Sequence, residues 1–321
     1  MSSFDKSSFP PLEMLEERAV ADASGKTKRL ERLYHLTQQH SWDGKQIFGG
    51  LVERHGPPGA GIDPTLRESL SRVMTILMWG ELAAWNISAD LALKIDDLDA
   101  KMAATAQVFD EARHFYVLRD YVTALGDVPS LGGLPRRLLS KVLDAPSLAT
   151  KLVGMQLLFE TNAVVIFRRI ADAEVCPILT ELLPYFERDE SRHVGLGVMY
   201  VPKLIARMSP AEARRTARFQ LECVLLLMAG GMVVREDFLR LRLDQRLMAT
   251  RVSSMQDEIV RQMAAQHGGV LRAVSSPRAG VGPKVLDLLH PPGGLDAAPA
   301  WHRTLHRGVQ RACRAVDRAL A

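Results

Sequence analysis

The chain has almost none of the alternating Val/Thr/Tyr runs that mark half-buried strands, which argues against a sheet and for an all-α fold. Cysteine is scarce: Cys176, Cys223 and Cys313 are odd in number, far apart and without C-x-x-C spacing. That pattern excludes a disulfide framework and fits a reducing, cytoplasmic compartment. A surplus of one charge is missing too, since 41 Lys and Arg against 37 Asp and Glu leave a net +4, too mild to argue for nucleic acid as a partner. Residues 1–17 lack a basic region followed by an apolar core, so no signal peptide is expected. The longest apolar run, Cys223 to Val234, is 12 residues with Gly230-Gly231 inside it. It is short for a membrane span and reads as a buried helix, so no transmembrane segment is expected. What is plentiful is apolar side chain, 47% of 321 residues, enough for one domain with a large core and some decorations.

One pentapeptide pattern occurs twice: Asp110-Glu111-Ala112-Arg113-His114 and Asp189-Glu190-Ser191-Arg192-His193. At average composition one such D-E-x-R-H is expected in roughly one chain of this length in a thousand. Glu and His at i, i+3 share a helix face and can reach a single point inside a bundle. A further Glu lies 30 residues before each motif Glu, Glu81 before Glu111 and Glu160 before Glu190, in apolar helical runs where an unpaired carboxylate is costly. The midpoints, Asp96 in a polar stretch and Val175 beside Cys176-Pro177, are where helical hairpins would turn. Each ligand then sits about 22 Å from its turn, at 1.5 Å per residue. Four carboxylates and two imidazoles meet at mid-bundle, the pattern of di-iron and di-manganese carboxylate bundles.

The chain divides into an N-terminal arm with helices (1–62), the bundle (63–207), additional packing helices (208–266), a Gly/Pro-rich linker (267–299) and a C-terminal basic amphipathic helix (300–321). Within residues 1–62, helices are expected over Lys28 to Gln39 and near Trp42 to Arg54. Ser24-Gly25-Lys26-Thr27 has the letters of a phosphate-binding loop's end, but Val20 stands where a Gly is needed and no strand precedes it; it reads as a solvated helix start. Asp63-Pro64 caps the first bundle helix, which runs to about Ile95; the second spans 98–125, the third 147–173 and the fourth 177–207. Residues 127–146 can either return along the bundle or make a simple turn; length alone does not decide. A fifth helix is expected from Pro210 to about Leu243, packed behind the site, and another over 250–266. In the last segment Arg303, Arg307, Arg311, Arg314 and Arg318 form one stripe, and Leu305, Val309, Ala312 and Val316 another. The plain expectation is that the apolar stripe packs on the bundle; the sharper one is a docking face for an acidic carrier protein or electron donor, or for an anionic membrane.

Hard oxygen donors with few imidazoles suit iron or manganese. The expected ligands are Glu81, Glu111, His114, Glu160, Glu190 and His193, with Glu111 and Glu190 bridging. A ligating His usually gives its second N–H to a carboxylate, so Asp110 should meet His193 and Asp189 should meet His114, with Arg113 and Arg192 neutralising the aspartates. Positions one turn from a ligand, Trp85, Phe115, Gln156, Val164, Phe186 and Val194, are plain core or the wall of a substrate pocket with Gln156 as its polar handle. Glu187 is either a solvated acid or an auxiliary one for the metals.

The paired motifs and their preceding glutamates resemble the ferritin-like diiron-carboxylate oxidases and oxygenases: soluble methane and toluene monooxygenases, acyl-carrier-protein desaturases, the ribonucleotide reductase small subunit and its ligand-binding oxidase relatives, and arylamine N-oxygenases. The resemblance covers about Asp63 to Arg207. It implies a ferritin-like four-helix bundle with a long middle crossover, two irons or a manganese–iron pair, and dioxygen as co-substrate. No subfamily is matched: Leu118 stands where the reductase subunit has its radical tyrosine, Met155 where the ligand-binding oxidases have a cross-linking tyrosine, Phe186 where the N-oxygenases add a histidine, and Val164 where the monooxygenases have a threonine. The expected activity is hydroxylation, desaturation or N-oxygenation of a small, lipophilic or aromatic molecule, free or carrier-bound, with electrons from a ferredoxin or reductase and a homodimer as the assembly. Iron handling as a ferroxidase and radical generation for another protein are the alternatives.

Overall fold

A computed structural model describes residues 28–267 and 282–321; the arm 1–27 with Ser24–Thr27, and residues 268–281 of the expected linker, lie outside the described residues. The described residues are helical, with no strand among them. Two short helices, α1 (Lys28–Gln39) and α2 (Gly44–His55), precede the bundle of α3 (Pro64–Lys94), α4 (Leu98–Leu125), α6 (Leu148–Asp172) and α7 (Pro177–Ile205), with α5 (Gly133–Leu143) in the middle connection. Local chemistry sets the ends. Asp63 accepts from Thr65 N at 2.9 Å with Pro64 in the first turn, Asp97 accepts from Ala100 N at 3.0 Å, and Pro177 opens α7.

Two core clusters show how the chain returns. One joins Ile95 and Ala100 at the first hairpin turn to Leu152 near the start of α6 and to Val201 near the end of α7. The other joins Leu125, at the end of α4, to Ala171 and Cys176 at the second hairpin turn. The chain leaves α4 at one end of the bundle and begins α6 at the other, so residues 126–147 cross its whole length. Ion pairs of Lys203 with Asp97 (2.7 Å) and of Lys151 with Asp90 tie the first end together. The open choice between crossover and turn is thereby settled as a crossover.

Expectations beyond the bundle need correction. The fifth helix stops at Val233 (α8, Pro210–Val233) and the chain turns at Val234 into α9 (Arg235–Arg240) before α10 (Gln245–His267). The break carries Asp237 to Arg72, whose Nε donates to both its carboxylate oxygens at 3.1 Å. Nor is α8 the buried helix expected from its apolar run. By length and composition α6 and α8 could each cross a membrane, but 72% of the apolar 18-residue stretch of α6 is buried and only 22% of that of α8. Finally, the segment 267–299 is not all linker: α11 (Gly282–Leu289) and α12 (Gly294–Ala297) form within it, and Leu289 and Ala298 are buried.

The last helix, α13 (Ala300–Leu320), departs most from expectation. It packs through a polar face: His302 Nε2 meets Leu288 O (2.7 Å), Gln310 Nε2 donates to Glu236 (2.7 Å), Arg314 pairs with Glu236, and Asp317 accepts from Leu134 N (2.7 Å). Contact with α5 is close enough that a Cβ on Gly133 would stand 2.3 Å from the Asp317 carbonyl. Of the stripe expected to pack, Leu305, Ala312 and Val316 are exposed and only Val309 is half-buried.

Candidate metal centre

Each bundle helix delivers its ligands at mid-height, and the six expected side chains meet there. Glu81, Glu111, His114 and Glu190 form one set and Glu111, Glu160, Glu190 and His193 another, with one donor atom from each residue of a set lying within 4.8 Å of the others. Glu111 and Glu190 belong to both, as bridging residues must. His114 Nδ1 lies 3.4 Å from Glu81 and 3.0 Å from Glu190, while His193 Nδ1 lies 3.1 Å from Glu111 and 2.9 Å from Glu190. All six are buried.

Behind them the paired motif letters meet crosswise. His114 Nε2 donates to Asp189 (3.2 Å) and His193 Nε2 to Asp110 (3.3 Å), so both Nδ1 atoms face the carboxylates. Arg113 and Arg192 each bond both aspartates: Arg113 reaches Asp189 at 2.8 Å and also Asp110, and Arg192 reaches Asp189 at 2.7 Å and Asp110 at 3.1 Å. The two hairpins are therefore bolted to each other through charge.

The donor set fits two cations. Four glutamates and two aspartates against two guanidiniums leave four negative charges withdrawn from water, which two divalent ions cancel. Glu111 Oε2, Glu190 Oε1 and His114 Nδ1 are buried without any hydrogen-bond partner; the last two are 3.0 Å apart but out of hydrogen-bonding alignment. Without cations the cluster redistributes protons. Burial, then the neighbouring Glu190, pushes Glu81 and Glu160 well above the usual carboxylate range. Burial acts against charge on the imidazoles, yet Asp189 and the glutamates around His114, and Glu111 and Glu190 beside His193, raise both well above the ordinary histidine value. Against the same burial penalty, hydrogen bonds and charge from His193 hold Asp110 low, those from His114 hold Asp189 low, and His193 and His114 keep Glu111 low.

Three contributors were missed. Gln107 Nε2 donates to Glu111 (3.0 Å) and Glu160 (2.6 Å), and its carbonyl accepts from Gln156 Nε2 (2.7 Å). Trp42, ahead of the bundle, donates its indole N–H to Asp189 at 2.7 Å and stacks with Arg113. Thr37 accepts from Arg192 at 3.1 Å. The backbone is unusual as well: residues Val153–Phe159 of α6 are π-helical, and Glu160 N–H bonds Met155 O, five residues back. Such wide turns gather at functional sites.

The expected pocket residues do not line the cavity. An apolar cavity of about 300 Å³ reaches Glu81, Glu160 and Glu190, and its walls include Ile76, Phe159, Leu227, Phe238 and Met248, with Asn162, Gln245 and His290 as polar points. None of Trp85, Phe115, Gln156, Val164, Phe186 and Val194 is among them. Trp85 pairs with Phe115 on the outside, Phe186 stacks on the His114 ring at 4.3 Å, Val194 is core, Val164 packs against it, and Gln156 is turned to Gln107. The cavity takes one wall from α3, α5 and α6, with Leu77, Ala84 and Ala163 one turn from Glu81 or Glu160, and the other from α8 to α11. Glu187 pairs with Arg168 (3.5 Å), apart from both metal-capable sets.

Glutamates from two helices and Glu-x-x-His from the other two, joined by a long crossover, define a ferritin-like bundle. No family model matches the chain, and no curated protein does. Among solved structures, a variant of an R2-like ligand-binding oxidase with an aerobically reconstituted Mn/Fe cofactor is similar, at 15% identity over 80% of this chain and 94% of that one, with a TM-score of 0.46. The reading of the centre rests on its own donor atoms, not on that likeness.

Proposed function

We propose that this protein is a dioxygen-dependent diiron oxidoreductase that oxidises a small lipophilic substrate. The observation that carries the reading is the convergence of two overlapping donor sets on one end of an apolar cavity. Glu81, Glu111, His114 and Glu190 would hold one ion and Glu111, Glu160, Glu190 and His193 the other. A pair of irons, or a manganese–iron pair, supplies reduction of dioxygen and oxidation of a bound organic molecule.

The chain's own residues do the rest. Asp189 and Asp110 keep His114 and His193 turned with Nδ1 inward, and Arg113 and Arg192 keep those aspartates ionised. Gln107 restrains Glu111 and Glu160. The apolar walls exclude water and favour a substrate without charge near the ligands, with Asn162, Gln245 and His290 available to orient a polar group. A monooxygenase stoichiometry, one oxygen atom into substrate and one into water, consumes two electrons and two protons per turnover, so a ferredoxin or reductase is part of the reading. Anaerobic loading with ferrous iron, exposure to oxygen in a stopped-flow cell, and a panel of lipophilic substrates test it. An oxygen-dependent absorbance whose decay one substrate hastens is the expected result; protein that takes up neither iron nor manganese, or that consumes no oxygen when loaded, overturns it.

A further inference from the structure

We propose that α13 is a lipid-docking helix that seats the protein on an anionic membrane surface. Helices in water-soluble folds turn their apolar side inward. Here His302, His306, Gln310 and Asp317 face the protein, and the opposite arrangement is left outside: Trp301 is 65% exposed, Leu305 44% and Val316 48%, with Ala312 between them. At about 100° per residue these four fall within one narrow stripe along a helix roughly 30 Å long.

Separated from this stripe only by the exposed Thr304, Gly308 and Ala315 run Arg307, Arg311 and Arg318, all exposed and without an acidic partner among the described residues, while Arg303 is turned back to the Ala298 carbonyl 2.6 Å away. A surface helix with Trp and Leu on one side and arginines on the adjoining one can sink its apolar edge about 5 to 10 Å into the headgroup region while the guanidiniums reach lipid phosphates. Charge and the apolar stripe together decide among occupants. A second copy meeting the stripe face to face would bring two arginine rows together, a neutral apolar partner would leave the row unanswered, and an acidic carrier or electron donor held by charge would leave Trp301, Leu305 and Val316 in water. This inference is independent of the chemistry proposed for the metal centre.

Co-sedimentation of the full chain with vesicles tests it, comparing pure phosphatidylcholine with phosphatidylcholine containing about 30% phosphatidylglycerol, each in low and high salt. Binding to the anionic vesicles that weakens with salt is expected. Trp301→Asp with Leu305→Asp should weaken it at least tenfold, and Arg307→Gln with Arg311→Gln and Arg318→Gln by about 100-fold, with melting temperature and metal content unchanged because all five side chains are exposed. Quenching of tryptophan fluorescence by brominated lipid should disappear in Trp301→Phe. The proposal is overturned if anionic vesicles are not bound in low salt, if either set of substitutions leaves binding intact, or if the stripe instead pairs two copies in sedimentation equilibrium without binding vesicles.

Discussion

His114 and His193 at the centre, and His290 with His306 of the C-terminal helix, are withdrawn from water in neighbourhoods of opposite charge. At the centre, six buried carboxylates overcome desolvation and raise the imidazoles well above their ordinary value. In the C-terminal block, burial lowers both, and Arg235 lowers them further. His290, which also faces His306, Asp244 and Arg246, falls to about 4, and His306, facing His302 and Glu236, is lowered too. One region holds a negative surplus that calls for cations; the other is a joint packed with neutral imidazoles. The same residue type therefore reports a cation-binding centre in one place and, in the other, a packed joint whose His290 also edges the cavity.

Removing a shared carboxylate should affect the centre most. Glu111→Ala or Glu190→Ala is expected to abolish binding of both metals, whereas Glu81→Ala or Glu160→Ala should spare one, as read by metal analysis per chain. Equal losses from all four would break the distinction between shared and unshared ligands. Next, Asp189→Asn should cost the metal-free fold about 3 to 5 kcal/mol in denaturant titration, because it weakens the acceptor of His114, Trp42 and two buried guanidiniums. Asp110→Asn, which lacks the indole bond, should cost less. A smaller effect, about 1 to 3 kcal/mol of overpacking, is expected for Gly197→Ala, whose new methyl would lie 2.4 Å from Gln156 Cβ; a lowered melting temperature would show it.

A further effect is in pH, and its sign differs between the regions. With a folded value near 4 below the ordinary 6.5, His290 binds its proton more readily in the unfolded chain, so the joint under α13 loses stability as pH falls from about 6.5 to 4. The raised values of His114 and His193 work the other way in metal-free protein. Their stabilisation is complete below pH 6.5 and is lost as pH rises through the folded values. Hydrogen exchange should show acid loosening α13 first and alkali loosening the bundle centre first. His290→Phe should remove much of the acid response of α13.

Much of the bundle was legible because capping and periodicity agree there. Asp63-Pro64, Gly126 and Cys176-Pro177 mark helix ends observed in the structure, and the spacing of Glu81, Glu111, Glu160 and Glu190 placed the ligands at a common height. Gln107 could have been found, since it precedes Glu111 by one turn just as Gln156 precedes Glu160. Trp42 could not, because nothing in its local pattern points across the fold to Asp189. The cavity was misplaced because proximity in sequence to a ligand does not tell which side of it stays open: Leu77, Ala84 and Ala163 line the space while Trp85 and Val164 beside them do not, and the far wall from α8 to α11 has no local signal. The face of α13 was misread for a related reason. Apolar periodicity shows which side of a helix avoids water, and here a lattice of polar bonds to Glu236, Leu288 and Leu134 outweighs it.

The wide turn over Val153–Phe159 makes Glu160 unlike its three counterparts. A stretch whose carbonyls are already spaced for one residue more than an ordinary turn can tighten or slacken by that residue without unravelling the helix, and such a change would rotate everything beyond it by about 100°. Of the four acids, Glu160 thus sits on the only built-in swivel among the described residues, between the cavity and the cluster. Amide exchange across 153–159, faster than in the less buried turn that follows over 162–166, would register that freedom.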